Sequence, residues 1–220
     1  IYDLAKQMSK NRTMITGAWA LQRQQYGEQS HWMISVLACM LGQIGLPGGG
    51  FGLGYSAENG IGNPVSYHKW PALEQLKNPV SDFIPVARIS DMLLNPGKSL
   101  AYNGKELKYP DIKLVYWAGG NPFHHQMNLK KLVKAFKQPD SIIVNEIWWN
   151  SLARHADIVL PATTSLEKND IGIRHWDQTI SPMHKIIEPV GESKSDYDIF
   201  SAISTKLNIN EKFTEKRNED

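Results

Sequence analysis

The feature that most constrains the fold is a regular alternation of apolar runs and amphipathic stretches between residues 113 and 160. The run at 114–117 contains no charged side chain, which is typical of a strand covered on both faces. Leu129, Leu132, Val133 and Phe136 follow it at the spacing of one helix face. Because parallel strands need a crossover between them, the alternation predicts two consecutive βαβ units.

We therefore expect an α/β fold with a mostly parallel sheet, Rossmann-like βαβ units and three layers. The predicted strands are residues 13–16, 113–118, 141–144 and 158–160. The predicted helices are an opening helix from Ile1 and residues 30–44, 86–94, 128–137, 149–153 and 197–207.

Glycine and proline divide the chain into regions. Gly48-Gly49-Gly50 begins a turn-rich region that contains one short helical pattern. We interpret residues 1–47 as the first part of the α/β domain, 48–110 as an insertion or lid, 111–210 as the remainder of the domain, and 211–220 as a charged tail. The amphipathic pattern that opens directly at Ile1 indicates a segment of a longer polypeptide.

Composition excludes several classes of partner. The 24 basic and 22 acidic side chains leave a net charge of +2 and are interspersed, so neither nucleic acid nor an anionic membrane surface is expected as a partner. The apolar run that begins at Trp32 stops before Gly45, short of the about 20 residues of a membrane span, so we expect no direct membrane insertion. Cys39 lies in that run and is predicted to be buried; as the single cysteine, it excludes an intrachain disulfide.

Polar and small residues cluster where the predicted strands end. In open parallel sheets, ligands bind beyond the carboxyl ends of the strands, where loops diverge and helix N-termini present free N–H groups. That rule selects Trp19 with Arg23, Gly120-Asn121, Asn145-Glu146, and Glu167-Lys168 after Pro161. Glycine permits close backbone approach, Arg and Lys bind phosphate, and a carboxylate accepts paired N–H bonds from guanine. The combination indicates a nucleotide site.

Each of these signals also has an ordinary structural explanation. Residues 119–122, Gly-Gly-Asn-Pro, form a common turn sequence, and Trp148-Trp149 is more typical of a core than of a stacking platform. His124 and His125 are adjacent and lack partners at metal-ligand spacing, so no protein-bound metal is expected. The triple glycine lacks the Lys-Ser/Thr of a P-loop, and the sequence contains no nucleophile elbow.

Long segments in fixed order resemble the dimethyl sulfoxide reductase family of molybdopterin oxidoreductases. They include residues 117–126 (WAGGNPFHHQ), 154–164 (RHADIVLPATT), 18–29, 40–52, 84–88 and 195–198. The trimethylamine N-oxide and biotin sulfoxide reductases are the nearest branch, and the resemblance covers nearly the whole chain.

The resemblance implies a domain that holds one of the two molybdopterin guanine dinucleotides that carry molybdenum. It places Trp19 and Arg23 near the pterin and metal end, and Lys168 and Asp196 at the ribose or guanine. The full set of implied cofactor-binding residues is Trp19, Arg23, Gly120, Asn121, His125, Gln126, Asn145, Glu146, Trp148, Lys168 and Asp196. No catalytic residue and no metal ligand is expected within this chain.

Three positions depart from the family pattern. Met127 stands where an acidic residue is frequent, Glu146 where aspartate is common, and Asn150 where threonine is common. Glu146 keeps the carboxylate but lengthens its side chain by one methylene, which weakens the assignment of a guanine contact to it.

The resemblance also implies an activity for the parent enzyme, the reduction of S-oxides or N-oxides by oxygen-atom transfer, while the cofactor-binding piece alone is expected to be inactive. The expected partners are the other domains of the same polypeptide, a small oxide substrate and an electron donor such as a c-type cytochrome. The expected location is the periplasm, with the cytoplasm as the alternative. A non-catalytic nucleotide-binding or scaffold module is the alternative function, because one α/β architecture hosts many functions.

Overall fold

The computed structural model describes residues 1–24, 26–53, 77–173 and 179–217. They belong to two compact units, which we call the N-terminal unit (Ile1–Tyr67) and the C-terminal unit (His68–Asp220). None of the described helices is both long and apolar enough to cross a membrane.

The N-terminal unit combines two helices with a small parallel sheet. Its elements are α1 (Tyr2–Lys10), β1 (Met14–Gly17), a 3₁₀ helix (Trp19–Gln22), α2 (Glu28–Leu41) and β2 (Gly50–Leu53). β1 pairs in parallel with β2, and α2 contacts both strands. Helix α2 ends at Gly42, whose φ of 64° is the left-handed conformation that glycine adopts without strain.

Helix α2 is less buried than its apolar sequence predicts. Ala38 is its buried residue, whereas Trp32 and Met40 are 67% and 77% exposed. Cys39 is also exposed, so the prediction that it is buried is wrong. The physical reason is that a two-stranded sheet covers only one side of a helix.

The C-terminal unit is built around a second, larger sheet. Its helices are α3 (Ile89–Leu94), α4 (Pro122–His125), α5 (Leu129–Ala135), α6 (Asp196–Lys206) and α7 (Asn210–Thr214), with 3₁₀ helices at Val86–Arg88 and Ala153–His155. Its strands are β3 (Ser99–Tyr102), β4 (Lys105–Lys108), β5 (Leu114–Ala118), β6 (Ser141–Glu146), β7 (Ile158–Pro161), β8 (Asp170–Gly172) and β9 (Ser181–Met183).

Strands β5, β6 and β7 form a three-stranded parallel sheet with β6 in the centre. Ala118 pairs with Asn145 and Glu146 pairs with Pro161, so the carboxyl ends of all three strands lie at one edge. The mixed α/β class and the parallel strands predicted in this region are confirmed. This edge is the place where the polar candidates from β5 and β6 come together.

The core of this unit lies between the sheet and helix α5. Ile142 and Val144 of β6 are buried together with Leu132 of α5. On β5, the Trp117 ring lies 6.3 Å from that of Phe136, which directly follows α5. Side chains alternate along a strand, so Tyr116 faces the other side, where its ring lies 5.4 Å from Phe200 of α6. The sheet therefore has an aromatic contact on each face, one from Phe136 directly after α5 and one from Phe200 of α6.

Among the described residues, two antiparallel strand pairs lie outside the predicted elements. β3 and β4 pair around Asn103-Gly104, both with positive φ, inside the predicted insertion. β8 pairs with β9. The positive φ at both central residues suits Asn-Gly, the usual sequence of a tight two-residue hairpin.

Helix assignments in two predicted regions, residues 149–153 and the tail after residue 210, differ from the prediction. The helix predicted at 149–153 is wrong, because the 3₁₀ helix is Ala153–His155. The Asn150 side chain accepts hydrogen bonds from the backbone N–H of Leu152 and Ala153, a local pattern that favours a turn over a helix extending back to Trp149. In the predicted tail, Asn210–Thr214 form α7, where the Phe213 ring stacks on Tyr197 at 5.8 Å.

Candidate functional site

The carboxyl edge of the three-stranded sheet begins with two glycines after β5. Gly119 and Gly120 have φ values of 79° and 70°, and a Cβ built on either would meet no atom within 4 Å. The left-handed conformation favours glycine here. The open space beside both residues allows a ligand to approach the backbone closely.

Asn145, at the carboxyl edge in the central strand, connects two other side chains. The Tyr116 hydroxyl donates to Asn145 Oδ1 at 2.8 Å, and Asn145 Nδ2 donates to Asp196 Oδ1 at 2.8 Å. Asn145 is only 5% exposed, while Asp196, in the first turn of α6, is exposed. Two residues selected from the sequence, 51 positions apart, are thus in direct contact.

The Tyr116 hydroxyl is held in its donor form. Burial raises the pKa of Tyr116 above its ordinary value of 10.0, and the negative charge of Asp196 acts in the same direction, against the opposing effect of the Asn145 hydrogen bond. A raised pKa keeps the phenol protonated throughout the neutral range. The hydroxyl can therefore donate to Asn145 at any physiological pH.

Asn121 follows the two glycines and caps helix α4. Its Oδ1 accepts from the backbone N–H of Phe123 at 2.9 Å, and its Nδ2 lies 3.4 Å from the Ser151 hydroxyl. These two contacts satisfy the Asn121 amide, which allows the side chain to be buried. His125 is exposed in the last turn of α4, and Gln126 directly after it is half-buried.

Glu146 ends β6 and organises the loop that follows. Its Oε1 accepts from the backbone N–H of Ile147 at 2.9 Å and of Trp148 at 3.4 Å, and its Oε2 accepts from Asn150 Nδ2 at 2.7 Å. Protein donors thus already occupy both carboxylate oxygens. Trp148 is 69% exposed, so the indole belongs to the surface rather than to the core.

Lys168 is in contact with another charged side chain. Its ammonium group lies 3.1 Å from Asp170, and the lysine side chain is 25% exposed. The N–H of Ile171 and then the Lys168 contact hold the pKa of Asp170 below its ordinary value of 3.8, although burial opposes them. A ligand phosphate or ribose at Lys168 would share this cation with Asp170.

Trp19 and Arg23 lie in the N-terminal unit, beyond the carboxyl end of β1. Trp19 begins the 3₁₀ helix and is 43% exposed. Arg23 ends it, where its backbone N–H donates to the Ala20 carbonyl at 2.9 Å, and its side chain is exposed.

Sequence reasoning missed four polar residues at or near this edge. Tyr116 and Ser151 contact candidates selected from the sequence, and Ser195 caps α6 by accepting from the Asp198 N–H. Within the described part of the chain, Thr163 Oγ1 is the buried side-chain polar atom without a hydrogen-bond partner. A tyrosine inside an otherwise apolar strand was the available signal for Tyr116, because a buried phenol needs a partner.

Among residues 1–24, 26–53, 77–173 and 179–217, no group of three or more His, Cys, Asp or Glu side chains is placed to hold a metal ion.

Comparison with known proteins identifies the family. The model of the molybdopterin oxidoreductase family matches residues 2–206. The chain belongs to the molybdopterin oxidoreductase family. It is 49% identical to a biotin sulfoxide reductase of Cereibacter sphaeroides, across 100% of this chain and 29% of that protein. It is 48% identical to a trimethylamine-N-oxide reductase of Haemophilus influenzae, across 100% of this chain and 28% of that protein.

The family implies a molybdenum–molybdopterin cofactor, and the chemistry of the carboxyl edge fits such a group. Gly119 and Gly120 leave open space beside the backbone, and the buried Thr163 hydroxyl has no partner among the described residues. Asn145 and the exposed Asp196 add an amide and a carboxylate next to each other. A polar, multiply hydrogen-bonding ligand needs this mixture of donors and acceptors.

Proposed function

We propose that this chain is the part of a molybdenum S-oxide or N-oxide reductase that holds one molybdopterin guanine dinucleotide. The guanosine end would lie at the carboxyl edge of the β5–β6–β7 sheet in the C-terminal unit. The observation that carries the proposal is the hydrogen bond between Asn145 and Asp196, which assembles a guanine-type acceptor where nucleotides bind in parallel sheets.

The other candidates take roles that their surroundings permit. The backbone of Gly120 would admit the ligand, with Asn121, His125 and Gln126 beside it, and Lys168 would meet the ribose or guanine together with Asp170. Trp148 offers an exposed ring for stacking. Glu146 is a weaker candidate for a guanine contact, because protein donors already occupy both of its oxygens. Trp19 and Arg23 would serve the pterin end.

The chain spans 27–29% of the length of the curated relatives that it matches. We therefore place the catalytic residues and the molybdenum ligand in the rest of the parent polypeptide. When bound, the cofactor would supply the oxygen-atom-transfer chemistry. The role of this chain is to bind and orient one arm of the cofactor.

The architecture proposed for this role is a three-layer domain made of residues 1–47 and 111–210, with residues 48–110 as an insertion and a tail after residue 210. The support within the C-terminal unit is that Phe136, directly after α5, and Phe200 of α6 make aromatic contacts on opposite faces of the sheet. We further propose a periplasmic location and a c-type cytochrome as electron donor. Detection of the tagged parent enzyme in the periplasmic fraction would support the location, and detection in the cytoplasmic fraction would contradict it.

The proposed guanosine site can be tested by calorimetric titration of GDP into the cofactor-free parent enzyme. We expect Asp196→Ala to weaken GDP binding by about 10-fold or more, because it removes a charge-assisted contact. The matched control is Asp198→Ala, which removes another exposed carboxylate from the same helix turn and should leave affinity unchanged. Equal GDP affinity in the Asp196→Ala variant would contradict the placement.

A further inference from the structure

The half-buried Tyr116 is linked to the proposed guanine acceptor, Asp196, through the side-chain amide of Asn145. We propose that Tyr116 is a positioning residue that, acting through Asn145, sets the preference of the Asp196 carboxylate for guanine over adenine. The inference deepens the proposed function and rests on it. Tyr116 itself need not touch the nucleotide.

The geometry of Asn145 leaves one orientation for its amide. The carboxylate of Asp196 is an acceptor, so the amide must present its NH₂ group to it. The amide oxygen then faces Tyr116, whose hydroxyl donates to it at 2.8 Å. Each contact favours the same orientation, and because Asn145 is buried, water does not compete readily for either group. The Tyr116 hydroxyl thus fixes the orientation of the Asn145 amide, whose Nδ2 donates to Asp196 Oδ1 at 2.8 Å.

An oriented carboxylate distinguishes the two purine bases. Guanine presents two adjacent N–H donors on its Watson–Crick edge, which a correctly placed carboxylate accepts together. Adenine presents an unprotonated ring nitrogen at the corresponding place, so a fixed carboxylate meets an acceptor and repels it. A carboxylate free to rotate avoids part of that repulsion and loses part of the paired contact. Orientation therefore affects selectivity more than it affects binding of nucleotides in general.

The contribution of the Tyr116 ring can be distinguished from that of its hydroxyl by mutation. The ring packs against Phe200 with centroids 5.4 Å apart, and phenylalanine retains that packing. Burial raises the pKa of Tyr116, so its hydroxyl is a donor across the neutral range. Tyr116→Phe thus removes one hydrogen-bond donor and little else.

The test is the ratio of ADP to GDP dissociation constants, measured by calorimetry on the cofactor-free parent enzyme. We expect Tyr116→Phe to lower this ratio by about 3- to 10-fold, the effect of one lost hydrogen bond. Tyr197→Phe is the matched control, because that hydroxyl donates to the Arg217 carbonyl at 2.7 Å and its ring also stacks on a phenylalanine. The control should leave the ratio unchanged.

A second variant tests whether Tyr116 acts through Asn145. Asn145→Ser should lower the same ratio, and Tyr116→Phe added to it should have no further effect. If Tyr116→Phe does not yield folded enzyme, an unchanged ratio in Asn145→Ser overturns the inference by itself. An unchanged ratio in Tyr116→Phe, or equal weakening of both nucleotides, also overturns it. If the unsubstituted enzyme does not bind GDP, the proposed function fails, and the inference fails with it.

Discussion

At the residue scale, Asn128 has two structural roles at the start of helix α5: it adopts a left-handed backbone conformation and it caps the helix. Its φ of 55° lies in the left-handed region, and its side chain accepts from the Lys131 N–H. We expect Asn128→Ala to lower the free energy of unfolding by about 2 kcal/mol, because it adds backbone strain and removes the cap. Asn128→Gly relieves the strain and should cost only about 0.3 kcal/mol. Denaturant unfolding of both variants measures the difference; equal losses would contradict the strain contribution.

Glu167 is a residue whose stabilising effect should depend on pH. It is buried, and its carboxylate accepts from the backbone N–H and the hydroxyl of Thr164 and from the Val190 N–H. These bonds, the Thr164 N–H first, hold its pKa below the ordinary value of 4.5. A depressed folded-state pKa means that the stabilisation is fully present above pH 4.5 and is lost as the pH falls through the lowered value.

Glu167→Gln should therefore lower Tm at neutral pH, because its NH₂ group replaces one of the two accepting oxygens and opposes either the Thr164 N–H or the Val190 N–H. The difference from the unsubstituted chain should shrink as the pH falls below 4.5. Glu188→Gln is the control, since that side chain is 83% exposed and pairs with Lys185 at the surface. Thermal unfolding across pH measures both. A Tm difference that does not vary with pH would show that the charge of the Glu167 carboxylate is not its cause.

At the scale of elements, helix α5 is attached to the sheet by one face. Leu132 has no exposed surface, whereas Leu129 at the start of the same helix is 46% exposed. We expect Leu132→Ala to cost about 2–5 kcal/mol, because it leaves a cavity against β6. Leu129→Ala should cost less than about 1 kcal/mol, because it removes little buried area. Equilibrium unfolding compares the two, and similar losses would mean that α5 is not held by this face.

At the scale of the whole molecule, the chain exposes large apolar side chains on helix α2. Trp32 and Met40 are 67% and 77% exposed, and large exposed apolar surfaces are typical of interaction sites. We expect the isolated chain to self-associate as its concentration rises, measured by sedimentation equilibrium. Met40→Lys should weaken the association, and Gln29→Lys, which adds the same charge at an exposed polar position of α2, should weaken it less. Concentration-independent monomers would refute the expectation.

Periodicity alone predicted most of the regular elements near the site. Continuous apolar runs and the 3.6-residue spacing located β5, β6, β7 and α5, because these patterns record which faces are covered. The hairpins β3–β4 and β8–β9 lack such a pattern. Short strands exposed on one side are stabilised by cross-strand pairing, which a single segment does not reveal.

For this protein, the sequence alone determined the α/β class, the parallel strands and the family, because local patterns and long ordered motifs carry that information. It also nominated the two site residues separately, Asn145 from its place at the end of a predicted strand and Asp196 through the family resemblance. Only the tertiary structure placed the two in contact and brought Tyr116 to Asn145 across 29 residues of sequence. Strand register and helix placement decide such contacts, and both depend on packing between segments that are distant in the chain.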